Sequence, residues 1–140
     1  MFFFQLPALP EFLLGRNNYA ALAKSLCETT AEPDVFSDEE IAEYKKAWSQ
    51  PGATTAMLNY YRANILKRMF GKNVMPPKIH VPTLFIYGEK DHAVLPQTVA
   101  GVGEMIAAPY REHRIQNSGH WVHQEARDEV TNVLREFLAA

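Results

Sequence analysis

The chain has 140 residues, of which 47% are hydrophobic and 21% are charged, a length and composition typical of one soluble globular domain. Its formal net charge is −2 and it has no cluster of basic residues, which argues against nucleic acid as a partner, because phosphate binding needs a concentrated Lys/Arg surface. No apolar run approaches the roughly twenty residues of a membrane span. The single cysteine, Cys27, can form no internal disulfide, which fits a reducing compartment. From these features we expect a cytoplasmic protein that contacts no membrane.

The first half of the chain predicts helices separated by short breaks. A stretch rich in Ala and Leu, from about Asn18 to Cys27, predicts the first helix. Ser37-Asp38-Glu39-Glu40 is a capping box, in which the serine oxygen meets the backbone N–H of Glu40 and the Glu40 carboxylate reaches back. The helix that follows is expected to bury three residues, Ile41, Tyr44 and Trp48.

Pro51-Gly52 interrupts this second helix, and a third is predicted from about Ala53 to Phe70. Its apolar stripe consists of Leu58, Tyr61 and Ile65. A tyrosine on such a stripe is usually a core residue, so the pattern alone assigns no function to Tyr61. Tyr60 points to another side of the helix and is interpreted as structural. The Met75-Pro76-Pro77 segment predicts a linker, because consecutive prolines cannot continue a helix.

The second half predicts strands that alternate with helices. The run from Val81 to Tyr87 is rich in β-branched and aromatic residues and is closed by Gly88, so it predicts a strand buried on both faces. A helix is predicted from about Pro96 to Ala107, a weaker strand from about Tyr110 to Ile115, and an amphipathic helix from Arg127 to Leu138. Two strands leave apolar sheet surface uncovered, so we expect the isolated chain to associate with other chains or to aggregate.

Asp91 and His120 each follow one of these strands. Reactive groups in open α/β sheets collect at the carboxyl ends of neighbouring strands, because right-handed crossovers bring those ends to one rim. A carboxylate beside an imidazole holds its tautomer and stabilises the imidazolium while the ring activates a nucleophile or water. Each residue alone is most often a turn or solvated residue. Together, in this order and in these loops, they predict two members of a catalytic triad.

The two loops, Tyr87-Gly88-Glu89-Lys90-Asp91 and Asn117-Ser118-Gly119-His120-Trp121, lie in a segment from Val81 to Ala140 that resembles the last two strand-helix units of the α/β-hydrolase superfamily. Two earlier segments resemble the cap of its epoxide hydrolase and dehalogenase branch, Phe4-Gln5-Leu6-Pro7-Ala8-Leu9-Pro10-Glu11 and Leu58-Asn59-Tyr60-Tyr61-Arg62. The resemblance implies an α/β fold of two parts. Residues 1–77 would form a helical cap region, incomplete at its start, and residues 78–140 the C-terminal part of the hydrolase domain.

In that branch an Asp on the nucleophile elbow attacks an electrophilic carbon and forms an alkyl-enzyme ester. The resemblance implies that His120 is the general base that activates water to hydrolyse the ester, and that Asp91 is the acid that orients His120. It implies that Tyr61 is one of two cap tyrosines that donate a hydrogen bond to the epoxide oxygen as charge develops on it. The other tyrosine is expected just before Met1.

No residue of the chain matches the nucleophile. Neither Cys27 nor any serine has glycines two before and two after it, which is the elbow pattern. Ser118, two residues from His120, is interpreted as a turn cap. We therefore expect the chain to be inactive alone, and its expected partner is a missing N-terminal half or a second copy of itself.

The resemblance implies a small apolar substrate, an epoxide or a related electrophile, and no cofactor. Trp121 is assigned to substrate binding and to holding the imidazole, although a lone Trp is more often a core residue. His120 and His123 have no obvious third ligand for zinc, so no metal is predicted and His123 is interpreted as a structural or a surface residue. Two alternatives stay open: a haloalkane or haloacetate dehalogenase or other α/β-hydrolase, and a non-catalytic remnant or interaction module.

Overall fold

The computed structural model describes residues 2–70 and 76–140, with the side chains of 65–70 left aside. The chain divides into two units. The first, which we call the helical unit, comprises Met1–Leu26 and Ser37–Met75, and the second, the sheet unit, comprises Cys27–Phe36 and Pro76–Ala140. The sequence-based division into 1–77 and 78–140 had placed Cys27–Phe36 with the helices, whereas this segment packs in the sheet unit.

Three α-helices dominate the first half of the chain, α1 (Leu9–Glu28), α2 (Asp38–Trp48) and α3 (Ala53–Phe70). Helix α1 is interrupted at Arg16–Tyr19, where Asn17 and Asn18 have positive φ angles of 51° and 52°. Asparagine tolerates this left-handed conformation better than most residues do. The helix predicted from Asn18 is therefore the second segment of α1.

Helix α2 begins with the predicted capping box, which is confirmed. The backbone N–H of Glu40 donates to Ser37 Oγ at 3.2 Å, and the backbone N–H of Ser37 donates to the Glu40 carboxylate at 2.9 Å. The predicted burial of Ile41, Tyr44 and Trp48 is wrong, because all three side chains are half-buried. A helix at the surface of so small a unit covers just part of its apolar stripe.

Helix α3 has the predicted bounds, and Leu58 on its stripe is 2% exposed. The side chain of Ile65, on the same predicted stripe, lies outside the described residues, as does Met75 of the predicted linker. The two prolines that follow Met75 are in neither helix nor strand. The helical bounds thus follow the sequence pattern closely.

The sheet consists of two parallel strands, β1 (Thr83–Gly88) and β2 (Tyr110–Ile115), paired in register from Thr83 opposite Tyr110 to Gly88 opposite Ile115. Both predicted strands are confirmed, and β1 begins after Pro82, which has no N–H to donate. The predicted burial of β1 on both faces is wrong. Its first four residues are half-buried, since β2 is its one neighbouring strand in the described part of the chain.

The connection from β1 to β2 differs from the predicted helix over Pro96–Ala107. Helix α4 spans just Pro96–Val99, and a short 3₁₀ helix follows at Val102–Met105. Gly101 separates the two with a φ angle of 80°, a conformation that glycine adopts at no steric cost and that ends a helix. The spacing of the apolar residues is typical of one continuous helix, but it does not reveal that the helix ends before Gly101.

Two helices complete the sheet unit, α5 (Val122–Glu125) and α6 (Arg127–Leu138), and both contact β1. Helix α6 has its predicted bounds and buries Val130 and Val133. Because the strands are parallel, the loops that leave Gly88 and Ile115 emerge at the same edge of the sheet.

Candidate active site

Asp91 lies in a tight turn three residues after β1. Its side chain is buried, with 6% of the residue exposed. Its Oδ1 accepts backbone hydrogen bonds from Ala93 at 2.7 Å and Val94 at 2.8 Å, which is an Asx-type turn. The turn fixes the carboxylate and leaves Oδ2 for another partner.

That partner is His120, whose Nδ1 lies 2.9 Å from Asp91 Oδ2. An ionised carboxylate can only accept, so Nδ1 carries the proton and donates, and Nε2 is left as an acceptor. The His120 side chain is 32% exposed. The two residues that the sequence pattern paired therefore meet, in a geometry suited to an imidazole that takes a proton at Nε2.

The pKa of Asp91 lies below its ordinary value. Burial alone raises it, but hydrogen bonds from the Val94 backbone, the His120 ring and the Ala93 backbone outweigh that effect. Asp91 is thus held as a carboxylate, the form that can stabilise a protonated imidazole.

The loop before His120 is pressed against the end of β1. A Cβ added to Gly88 would lie 2.7 Å from the Ser118 carbonyl carbon and closer still to the carbonyl oxygens of Ser118 and Gly119. A Cβ added to Gly119 would lie 2.8 Å from the Ala31 nitrogen on its other side. Glycines at both positions therefore allow three backbone segments to meet.

The His120 loop is also tied to the segment Cys27–Phe36, which the sequence analysis did not connect with it. The backbone N–H of His120 donates to the Thr29 carbonyl at 3.1 Å, and the indole N–H of Trp121 donates to Thr29 Oγ1 at 2.7 Å. Nothing in the sequence indicates Thr29, because the contact spans more than ninety positions.

Glu125 is the second residue that sequence reasoning missed. Its carboxylate accepts three backbone N–H groups, those of Ala31, Gly119 and Trp121. A weak signal existed: an acidic residue in the first turn of a helix that returns to the backbone N–H before it resembles a capping box. Here it is one position later than in the standard pattern, at the fourth residue of α5.

The rings of Trp121 and His120 meet edge to face, with centroids 5.0 Å apart. The ring of Trp121 also lies edge to face with that of Phe36, with centroids 6.3 Å apart, and its indole N–H donates to Thr29 Oγ1. These contacts accord with the predicted role in holding the imidazole, and the assignment to substrate binding stays a prediction.

Ser118 does not form the predicted turn cap. It is 1% exposed, and its Oγ has no hydrogen-bond partner among the described residues. The contact of Ser118 with its surroundings is made by the backbone instead, since its carbonyl accepts a hydrogen bond from the Lys90 N–H at 3.0 Å. The interpretation of Ser118 as a turn cap is therefore wrong, because a side-chain cap requires a hydrogen bond from the hydroxyl.

Tyr61 belongs to the helical unit, where its ring contacts that of Phe4 at 5.3 Å. Its side chain is 38% exposed, against 70% for Tyr60. Arg62 beside it donates to the Phe4 and Leu6 carbonyls and to both oxygens of Glu11. The two segments that carried the cap resemblance are thus held together by one guanidinium.

Within residues 2–70 and 76–140, no group of three His, Cys, Asp or Glu side chains is arranged to hold a metal ion. Nε2 of His113 lies 2.7 Å from a carboxylate oxygen of Glu129. No helix in the described ranges is both long and apolar enough to cross a membrane.

The chain is similar to known proteins over nearly its whole length. No family model matches the chain. It is 34% identical to epoxide hydrolase 3 of Xenopus tropicalis, over 99% of the chain and 38% of that protein. It is 34% identical to the AB hydrolase superfamily protein YfhM of Bacillus subtilis, over 97% of the chain and 46% of that protein. The crystal structure of epoxide hydrolase A from Mycobacterium thermoresistibile matches with a TM-score of 0.76 at 21% identity, covering 99% of the chain and 51% of that structure.

The structure is therefore part of an α/β-hydrolase fold. Asp91 and His120 lie in the loops that follow β1 and β2, and their side chains meet there. The chain spans less than half the length of these two curated relatives. Over nearly its whole length it is similar to relatives that are named epoxide hydrolases or a member of the AB hydrolase superfamily.

Proposed function

We propose that the chain supplies the acid and the base of an epoxide hydrolase, and that the nucleophile comes from residues outside these 140. Asp91 orients His120, and His120 takes a proton from the water that hydrolyses an alkyl-enzyme ester. The observation that carries the proposal is the 2.9 Å contact of His120 Nδ1 with a buried carboxylate, which leaves Nε2 free to act as a base.

The electrostatics of the pair support this role. A base that accepts a proton becomes a cation, and a fixed anion beside it lowers the energy of that state. Asp91 is fixed by two backbone hydrogen bonds on its other oxygen, so no reorganisation is needed when the proton arrives.

Tyr61 is proposed as the hydrogen-bond donor to the epoxide oxygen. Tyr61 is 38% exposed, its ring contacts that of Phe4, and Arg62 holds the Phe4 carbonyl by a hydrogen bond. A phenol donates more readily as negative charge develops on the oxygen of the opening ring. A dehalogenase has no alkoxide to stabilise, so Tyr61 favours the epoxide.

The test begins with the coding DNA, read in frame upstream of the Met1 codon for an Asp in a Gly-flanked elbow. The longer chain should convert an epoxide to its diol, and His120→Gln in that chain should form the ester without hydrolysing it. Intact-mass spectrometry would then show the protein plus one substrate mass. Diol production by His120→Gln at the rate of the unsubstituted chain would defeat the assignment.

Two further results separate the alternatives. Halide release from a haloalkane without diol formation from an epoxide would favour the dehalogenase. A stop codon directly upstream, with no hydrolysis by the 140-residue chain, would favour the non-catalytic remnant. Tyr61→Phe should slow epoxide opening by about 10²-fold or more while the helical unit stays folded, and a large loss of stability would instead assign Tyr61 to the core.

A further inference from the structure

Glu125 stands outside the proposed acid-base pair, yet it contacts the loop that carries the base. Its Oε2 accepts the backbone N–H groups of Ala31 at 2.8 Å and Gly119 at 2.7 Å, and its Oε1 accepts that of Trp121 at 2.9 Å. Both oxygens are engaged, and all three donors are main-chain groups. Hydrogen bonds to an ionised acceptor are stronger than those between neutral groups.

Two of those donors flank His120 in sequence, and the third belongs to the segment Cys27–Phe36. The N–H of His120 itself donates to the Thr29 carbonyl in that same segment at 3.1 Å. Three consecutive N–H groups, at residues 119, 120 and 121, are therefore held in place. With the backbone fixed on both sides, the imidazole keeps just its two side-chain torsions, and the contact with Asp91 sets them.

We infer that Glu125 is a positioning residue for His120. Its carboxylate joins the loop of the base to the segment before α2, and it thereby holds Nδ1 at hydrogen-bonding distance from Asp91. A small displacement of a catalytic group costs much of its effect, and a charged acceptor that gathers three donors resists such displacement. The significance of this role for catalysis rests on the proposed function, but the geometry can be tested without turnover.

The test compares three variants of the chain by NMR. Glu125→Gln keeps the shape of the side chain but replaces one accepting oxygen with an NH₂ group, which cannot accept. Glu125→Ala removes both accepting oxygens and with them all three hydrogen bonds. Asp128→Asn is the matched control, because it removes a carboxylate three residues further on, at an exposed position.

Two signals are followed, namely the His120 Nδ1–H resonance and the hydrogen exchange of the amides at residues 119, 120 and 121. In Glu125→Gln, exchange at these amides should accelerate about tenfold or more, and the Nδ1–H signal should broaden or vanish. Asp128→Asn should match the unsubstituted chain in both. The amides that join β1 to β2 should stay protected in Glu125→Gln.

Each contrary result is informative. Unchanged amide exchange and an unchanged Nδ1–H signal in both Glu125 variants would overturn the inference. Loss of β1–β2 protection in Glu125→Gln would overturn it too, since Glu125 would then support the whole sheet unit. If the unsubstituted chain shows no Nδ1–H···Asp91 signal, the proposed acid-base pair fails, and the amide exchange alone still decides whether Glu125 anchors the loop.

Discussion

The carboxylate of Asp91 divides its two oxygens between two tasks. Oδ2 faces His120 Nδ1 at 2.9 Å, while Oδ1 accepts the backbone N–H groups of Ala93 and Val94. One oxygen therefore serves the imidazole and the other shapes the turn. Substitutions at this position can separate the two tasks.

Asp91→Asn should change the tautomer of His120 more than it changes the fold. The amide oxygen can still accept from Ala93 and Val94, but the NH₂ group now faces Nδ1, which must accept instead of donating. We expect the imidazole proton to move to Nε2 and the free energy of unfolding to change by less than about 1 kcal/mol. Long-range ¹H–¹⁵N NMR of the ring reports the tautomer.

Asp91→Ala is the control for that substitution, because it removes both oxygens. It should cost about 1–3 kcal/mol, since the N–H groups of the turn lose their acceptor. Equal losses in the Asn and Ala variants would contradict the division of roles between the two oxygens.

Acid should destabilise the sheet unit through Asp91. The pKa of Asp91 is lower in the fold than its ordinary value, which is about 3.9 in an unfolded chain. Ionised Asp91 therefore contributes its full stabilisation above that value, and the contribution is lost as the pH falls through the lower pKa of the folded state. Urea unfolding between pH 7 and pH 3, followed by the indole N–H signal of Trp121, measures the loss.

The same titration of Asp91→Asn isolates this effect from other carboxylates. Glu112, for example, also has a lowered pKa, because Tyr110 and Arg114 donate hydrogen bonds to it. The unfolding free energy of the unsubstituted chain should fall more steeply below about pH 4 than that of the Asn variant. Parallel curves for the two proteins would show that Asp91 gains nothing from ionisation.

The sequence predicted the elements well where a pattern is local. The bounds of α3, β2 and α6 and the capping box at Ser37 follow from periodicity and turn chemistry, and the pairing of Asp91 with His120 follows from the order of the loops. The right-handed connection between parallel strands is enough to predict that the loops after β1 and β2 lie at the same edge of the sheet.

Other features lay beyond any local pattern. Thr29 and Glu125 accept hydrogen bonds from backbone N–H groups of the His120 loop. No pattern of side chains in the sequence indicates which backbone N–H groups will need an acceptor. The break at Gly101 depends on a left-handed φ that an apolar period of three and four cannot register. The apolar run of β1 predicts burial on both faces, but it cannot reveal that β2 is the one strand paired with β1 in the described part of the chain.

Gly88→Ala should separate the His120 loop from the end of β1. The added Cβ would meet the carbonyl groups of Ser118 and Gly119 well inside contact distance, and backbone cannot move aside as a side chain can. We expect a loss of about 3 kcal/mol in the unfolding free energy of the sheet unit. Gly15→Ala is the control, because the nearest atom to its added Cβ is 3.9 Å away; equal effects would refute the close contact.

Arg62→Lys should loosen the start of the helical unit although it keeps the charge. A lysine has one nitrogen and cannot reach the Phe4 and Leu6 carbonyls and both Glu11 oxygens at once. Limited chymotrypsin digestion near Phe4 should accelerate about tenfold. Lys46→Gln, which breaks an exposed ion pair with Glu43, should leave digestion unchanged, and similar digestion of all three proteins would contradict the role of Arg62.

The chain enters the sheet unit twice, first at Cys27–Phe36 and again from Pro76 onward. A polypeptide cut at the proline pair would keep β1, β2, Asp91 and His120 but would lack the Thr29 carbonyl that accepts the His120 N–H and the Ala31 N–H that Glu125 binds. Dissecting this protein by continuous segments would therefore remove part of the histidine's support. A split-protein or circularly permuted version would have to carry the ten residues from Cys27 to Phe36 along with the strands, joined to them by a new linker or added back as a peptide.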